Sequence, residues 1–237
     1  MGKEMITIVL WKWTKVGYRT RFTSAHVNTI LNMIKRNVTV PHRVVCVTDD
    51  PTGIKCETIP LWPNPAPNYG SAKRPNCFYR LKAFDPDMRD VLGDRFMWLD
   101  LDTVIARNID HLLTAKTNFG IWRVDYERSP CNGSMVLHKT GSRPNLWTDF
   151  DPSVIDPLNG YRRQTGMIGS DQAWIAQNLR PDDKFFGIID GVYSFRCHLE
   201  RKQELPANAC IVFFHGEHNP GDTDVMRKYH WVREHYR

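Results

Sequence analysis

The chain has 237 residues, 41% of them hydrophobic and 24% charged, which suits an ordinary globular protein of one large domain or two small ones. No run approaches ~18 consecutive apolar residues, so no segment reads as a membrane-spanning helix. The net charge of +6 is uneven: residues 1–45 hold eight Lys/Arg (3, 12, 15, 19, 21, 35, 36 and 43) against Glu4 alone, as a phosphate-bearing partner or simply a soluble basic surface would require.

In chain order, residues 5–11 (Met-Ile-Thr-Ile-Val-Leu-Trp) read as a buried first strand. Residues 23–36 read as a helix, with Val27, Ile30, Leu31 and Ile34 at i, i+3, i+4 and i+7 and Thr23 or Ser24 as its cap. Residues 43–48 form a second strand and 49–53 a turn. The five prolines of residues 60–76 mark a loop, and Phe78–Phe84 a short helix. Residues 95–101 form a third strong strand. Further strands are expected at 119–124, 133–138, 185–189 and 210–214, and a helix at 170–179 before Pro181. Strand, helix, strand in the first hundred residues implies a right-handed parallel βαβ start. In such sheets ligands bind beyond the carboxyl ends of the strands.

The six cysteines show no metal spacing, and Cys46 and Cys210 sit inside apolar runs. They read as buried free thiols of a reducing compartment. The start enters a strand-like run without a secretory hydrophobic region, so a cytoplasmic location is expected.

Within Arg95-Phe-Met-Trp-Leu-Asp-Leu-Asp-Thr-Val-Ile105, two carboxylates break a run of large apolar residues. Each is costly to bury unless something neutralises it. A strand puts residues i and i+2 on one face, so Asp100 and Asp102 can point together toward one cation. Two other D-x-D sequences, at 85–87 and 222–224, lie in polar turns and read as solvated. His215 ends the apolar run Ile211-Val-Phe-Phe, as a core histidine or as a third ligand. Two carboxylates and an imidazole suit a Mn²⁺-type ion (or Mg²⁺) with open positions. Asn132-Gly133-Ser134 enters a strand, and Gly169-Ser170-Asp171-Gln172 opens a helix, where Ser170 or Asp171 is the expected N-cap.

Taken in order, these segments resemble the GT-A glycosyltransferases, particularly the small, retaining, glycogenin-like group. The resemblance runs over about residues 5 to 220. Its markers are Asp100-Leu-Asp102, the following Thr103–Asp110, Asn132-Gly133-Ser134, Gly169–Gln172 and His215. Trp11-Lys-Trp13, Phe22, Val27-Asn28 and Cys46–Pro51 are similar to a soluble bacterial and viral branch of that group.

The resemblance implies an α/β fold of the GT-A class: one domain over 1–237, a Rossmann-like nucleotide-sugar-binding half (1–110) fused to a mixed-sheet acceptor half (111–237). It implies that Asp100, Asp102 and His215 bind the metal and that Asp100 also meets the donor. Asn132, Gly133 and Arg80 approach the donor sugar or its phosphates, Asp171 and Gln172 flank the reacting carbon, and Trp13 or Phe22 packs on the base. Two departures stand out. Asn219 occupies the position of a family lysine that meets the diphosphate, leaving that charge to the metal and to Arg80, Arg162 or Arg163. The inserted Ser170 leaves open which of Asp171 and Gln172 lies below the anomeric carbon.

The activity implied is transfer of a sugar from a nucleotide-diphosphate donor, UDP-linked, to an acceptor hydroxyl. Two acceptors are suggested, with DNA as the first choice and a saccharide as the alternative. The basic N-terminus suits DNA bearing hydroxymethylated bases. The basic and aromatic segment 227–237 suits peripheral membrane contact and a lipopolysaccharide or lipid-linked saccharide. The contrasting classes are a non-catalytic nucleic-acid-binding protein and a metal-dependent nuclease.

Overall fold

The computed structural model describes residues 5–14, 21–67, 77–124, 130–154 and 170–237. The elements are β1 (Ile6–Lys12), α1 (Ser24–Asn37), β2 (His42–Thr48), β3 (Glu57–Pro60), α2 (Arg89–Leu92), β4 (Arg95–Leu99), β5 (Thr103–Ile105), α3 (Asp110–Leu113), β6 (Phe119–Trp122), β7 (Asn132–Lys139), α4 (Asn145–Thr148), α5 (Ser170–Gln177), β8 (Lys184–Phe186), β9 (Val192–Ser194), β10 (Ile211–Phe213), α6 (Thr223–Lys228) and α7 (His230–His235).

Seven strands make one sheet in the order β3-β2-β1-β4-β7-β6-β8. β3, β2, β1 and β4 are parallel, β7 runs antiparallel to β4 and β6, and β8 is parallel to β6. The sheet therefore crosses both expected halves without a break. β1 is buried along its whole length because it has two covered faces. Ile6, Ile8 and Leu10 enter the core shared with α1, while Val9 and Trp11 enter the core that holds Phe78, Phe84 and Trp174.

α1 buries Val27, Ile30, Leu31, Met33 and Ile34. Thr23 is its N-cap residue, and the Thr23 N–H donates to His26 Nδ1 at 3.1 Å. Lys35 and Arg36 complete its last turn, where cations oppose the helix dipole. Because α1 runs back along β1, these two cations lie at the end of the sheet remote from Asp100. Of the other N-terminal cations, Lys12 is buried against Asp50 (3.7 Å) and Arg43 bonds Glu57 at 2.8 Å. Lys12 and Arg43 are thus held in ion pairs, and Lys3, Lys15 and Arg19 lie outside the described residues.

The structure corrects two strand boundaries. β4 ends at Leu99, two residues early, so Asp100 and Asp102 leave the strand and do not share a strand face. The late strand expected at 185–189 stops at Phe186; Ile188–Asp190 is a 3-10 turn, with Ile189 94% exposed. A second, three-stranded sheet, β5-β10-β9, accompanies the large one. The C-terminal helices also turn their aromatic side inward: Tyr229 and Trp231 are buried beside Phe195 and Phe214. The aromatic face expected at a membrane is therefore a core face. Arg36 pins the tail by donating to the carbonyls of His235 (2.7 Å) and Arg237 (2.5 Å). All six cysteines are free thiols, with Cys46, Cys131 and Cys210 buried.

Candidate active site

β1 and β4 end, and antiparallel β7 begins, on one edge of the large sheet, which gathers Trp13, Asp100, Asn132 and Gly133 there. Asp100 is tied to the large sheet by its N–H, which donates to the Ser134 carbonyl at 2.9 Å. Asp102 is tied to the small sheet: the Phe214 N–H donates to its carbonyl at 2.8 Å. Thr103 Oγ1 donates to the Asp100 carbonyl at 2.6 Å and closes the turn between them. Both Asp100 and Asp102 are half-buried.

Arg80 organises this edge. It comes from the short 3-10 helix Phe78–Phe84, whose Phe78, Leu81 and Phe84 are buried. Its guanidinium donates to Asp100 Oδ1 at 2.6 Å and to the Gly133 carbonyl at 3.0 Å, and it lies 3.8 Å from Asp171 Oδ2. Burial opposes the Arg80 charge, but Asp100 and Asp171 outweigh it and raise the pKa. Asp171, in the first turn of α5, is 3% exposed. Burial pushes its pKa up to about 6 against the pull of Arg80, and Asp100 pushes the same way. Two buried polar atoms here, Arg80 Nε and Asp171 Oδ2, have no hydrogen-bond partner among the described residues. They are two of seven such atoms among the described residues, and these two belong to the Arg80–Asp171 pair beside the 100–102 turn.

Gln172 turns its Oε1 toward the Gly133 N–H, which donates at 2.9 Å. A Cβ built on Gly133 would lie 3.6 Å from Gln172 Cβ and 3.9 Å from Asp171 Oδ2, so the three residues are immediate neighbours. Asn132 Oδ1 accepts from the Ser134 N–H at 2.9 Å and shapes the entry into β7. Half-buried Trp13 lies 5.5 Å from the Tyr79 ring, with the Arg80 guanidinium 5.8 Å from it. Phe22 is elsewhere: it stacks edge-on to His26 and packs on the core shared with α1.

His215 follows β10. Its Nε2 is 2.7 Å from Ser194 Oγ and its ring stands edge-on to Trp122, centroids 5.2 Å apart. A metal-bound histidine characteristically has its second nitrogen held in this way. The donor chemistry of Asp100, Asp102 and His215 therefore fits a divalent ion. Their ligand atoms do not all lie within 4.8 Å of one another, since Asp100 is turned to Arg80 and His215 to Ser194. Among the described residues the group that does is His218, Asp222 and Asp224. Asp222, expected to be solvated, is half-buried and accepts from the Asn219 N–H at 2.7 Å. Ser194 and Tyr236 also belong to this neighbourhood and carry no signal in the sequence. Burial, then Asp102 and Asp222, push the Tyr236 phenol up to about 12, which puts it within their field. Neither lies in a motif, though His218 could have been picked out by its spacing from His215. Arg162, Arg163 and Gly169 lie outside the described residues.

No protein-family model matches the chain, and no curated protein is similar to it in sequence. Solved structures do match. The galactosyltransferase LgtC, in complex with donor and acceptor sugar analogs, aligns with a TM-score of 0.58 and 11% identity over 97% of this chain and 96% of its own. The glycosyltransferase GlyE of Streptococcus pneumoniae aligns with a TM-score of 0.60 and 11% identity over 97% of this chain, which spans 61% of the GlyE chain. A likeness at 11% identity is one of architecture, and it shows that this chain has the GT-A fold found in glycosyltransferases.

Proposed function

We propose that this protein is a divalent-metal-dependent glycosyltransferase that moves a sugar from a UDP-linked donor to an acceptor hydroxyl with retention of configuration. The observation that carries the reading is the buried Arg80 held between Asp100 and Asp171, with one orphaned atom on each side of the Arg80–Asp171 contact. In this reading residues 1–110 hold the nucleotide and 111–237 the acceptor side.

Asp100, Asp102 and His215 would hold Mn²⁺ or Mg²⁺, which when bound neutralises charge on the departing diphosphate. Arg80 keeps Asp100 oriented and supplies a fixed positive charge where the family lysine is replaced by Asn219. The Gln172 carbonyl oxygen is taken by Gly133, which leaves Gln172 a positioning role. Asp171 is then the anionic group beside the reacting carbon, as stabiliser or nucleophile. An active-site glutamine-to-glutamate variant is among the solved structures of LgtC, which supports a catalytic neighbourhood built around such side chains.

Of the two acceptors, a saccharide is favoured. The half-buried Trp13 and Tyr79 rings beside Arg80 lie in the donor half and offer faces on which the donor's base or sugar can pack. Hydroxymethylated DNA draws less support, because Lys12 and Arg43 are engaged in ion pairs and Lys35 and Arg36 lie at the far end of the sheet. A non-catalytic nucleic-acid-binding role would leave the Arg80–Asp171 pair without a task.

The test is a thermal-shift panel of nucleotide sugars with and without Mn²⁺, since a ligand that binds only the folded state raises its stability. It is paired with donor hydrolysis by Asp102→Asn. Stabilisation by a UDP-sugar with Mn²⁺, and loss of metal-dependent hydrolysis in the variant, are expected. Undiminished turnover in the absence of divalent metal would sink the reading.

A further inference from the structure

The β4–β7 ladder ends at the Leu99–Met135 pair, and beyond it the Asp100 N–H still reaches the Ser134 carbonyl. The Gly133 carbonyl lies one residue further out and is met by two buried side chains. Trp98 Nε1 donates to it at 2.8 Å, and Arg80 donates to it at 3.0 Å. Trp98 is fully buried, and its ring is walled by Phe84, Phe96 and Trp11, with centroids 5.5, 6.3 and 6.0 Å away. Such packing leaves the indole N–H little freedom to point elsewhere. The Arg80 guanidinium also lies 6.0 Å from the Trp98 ring centroid, at the limit of cation–π attraction.

Arg80 meets two carboxylates and treats them differently. One of its terminal nitrogens bonds Asp100 Oδ1 at 2.6 Å, while the other stands 3.8 Å from Asp171 Oδ2. That second nitrogen gives its hydrogen bond to the neutral Gly133 carbonyl. A guanidinium binds a charged acceptor roughly twice as strongly as a neutral one. The buried Asp171 carboxylate should therefore draw Arg80 off the carbonyl, unless the carbonyl is held in place. Trp98 holds it on one side, and on the other the Gly133 N–H donates to Gln172 Oε1 at 2.9 Å.

We propose that Trp98 is a positioning residue: by fixing the Gly133 carbonyl it keeps Arg80 off Asp171, and so leaves an Asp171 oxygen to the substrate. The final clause rests on the glycosyltransferase reading above; the separation of Arg80 from Asp171 does not. Trp98 touches no reacting atom and acts through Gly133 and Arg80. Without the indole N–H, Gly133 has no Cβ to resist a turn of its carbonyl. The freed guanidinium nitrogen then closes on Asp171, and the carboxylate is spent on a salt bridge inside the protein.

The experiment is a double-mutant cycle on the ligand-free full chain at neutral pH, read by thermal and chemical denaturation. Asp171→Asn is compared in the wild type and in Trp98→Phe, which keeps an aromatic ring and loses the N–H. If Trp98→Phe does not fold, Trp98 is replaced by its benzothienyl isostere, in which sulfur stands in place of the N–H and the ring keeps its size. The expected result is coupling: Asp171→Asn should be less favourable, or outright destabilising, once Arg80 has closed on Asp171. Additive effects overturn the proposal, since a merely structural tryptophan predicts them. In parallel, the Trp98 variant should lower kcat for transfer roughly 10–100-fold while the donor KM stays nearly constant. An active wild type whose kcat survives the loss of the N–H also overturns it. A wild type that transfers no sugar refutes the glycosyltransferase reading instead, and the cycle still decides whether Trp98 holds the pair apart.

Discussion

Asp171 sets function against stability. Its pKa is raised from 3.8 to about 6 in the folded chain, chiefly by burial. The folded state thus holds that proton more tightly than the unfolded one. Stability falls as pH rises from 3.8 through about 6. The penalty is complete above that pH, at about 3 kcal/mol. Asp171→Asn should therefore raise the melting temperature of the ligand-free protein at pH 7–8, a gain that fades near pH 4. The same substitution should reduce transfer roughly 10²–10³-fold. The wild-type rate should decline as pH falls through about 6, read from the pH profile of kcat/KM. Sequence alone could name Asp171 but not this conflict, which arises from its burial in the fold, with Asp100, 71 positions earlier, adding to the shift and Arg80, 91 positions earlier, opposing it. The partners of His215 were invisible for the same reason: Ser194 is an ordinary serine until β9 and β10 pair.

Elements were legible in proportion to their length. β1, α1 and β2 are long enough to show a period, and each lies within a residue or two of its expected place. β5, β9 and β10 have three residues each, too few for alternation to show. Only the apolar run ending in His215 gave β10 away; β5 and β9 left no trace. The C-terminal segment misled in a different way, because its basic residues face solvent while Tyr229, Trp231 and Val232 seal the core around Phe195 and Phe214. Trp231→Ala should cost about 3–5 kcal/mol in a chemical denaturation curve. An interfacial anchor would instead tolerate that change in solution, so an unaltered midpoint would restore the membrane reading.

Across the whole molecule, the two cores are joined by a sheet whose centre is the β4–β7 pair, and that pair carries a group with no role in the proposed sugar transfer. His138 is fully buried among Phe84, Phe96 and Phe119, and its pKa is lowered from 6.5 to about 3. The unfolded chain takes up that proton first. The stability associated with neutral His138 is therefore fully present above pH 6.5 and is lost as pH falls toward 3. His138→Phe should flatten the fall of melting temperature between pH 6.5 and 4, and a slope as steep as that of wild type would exclude His138 as its cause. The turn at 100–102 has a consequence of its own. Asp100 is bonded to one sheet and Asp102 to the other, with Leu101 2% exposed between them. The gap between the two carboxylates is consequently set by how one sheet seats on the other, and not by the pleat of a strand. In the proposed metal site, a change made deep in the packing, such as Leu101→Ala, should shift the ionic radius the pair prefers, readable as an altered ranking of Mg²⁺, Mn²⁺ and Ca²⁺, without touching either carboxylate.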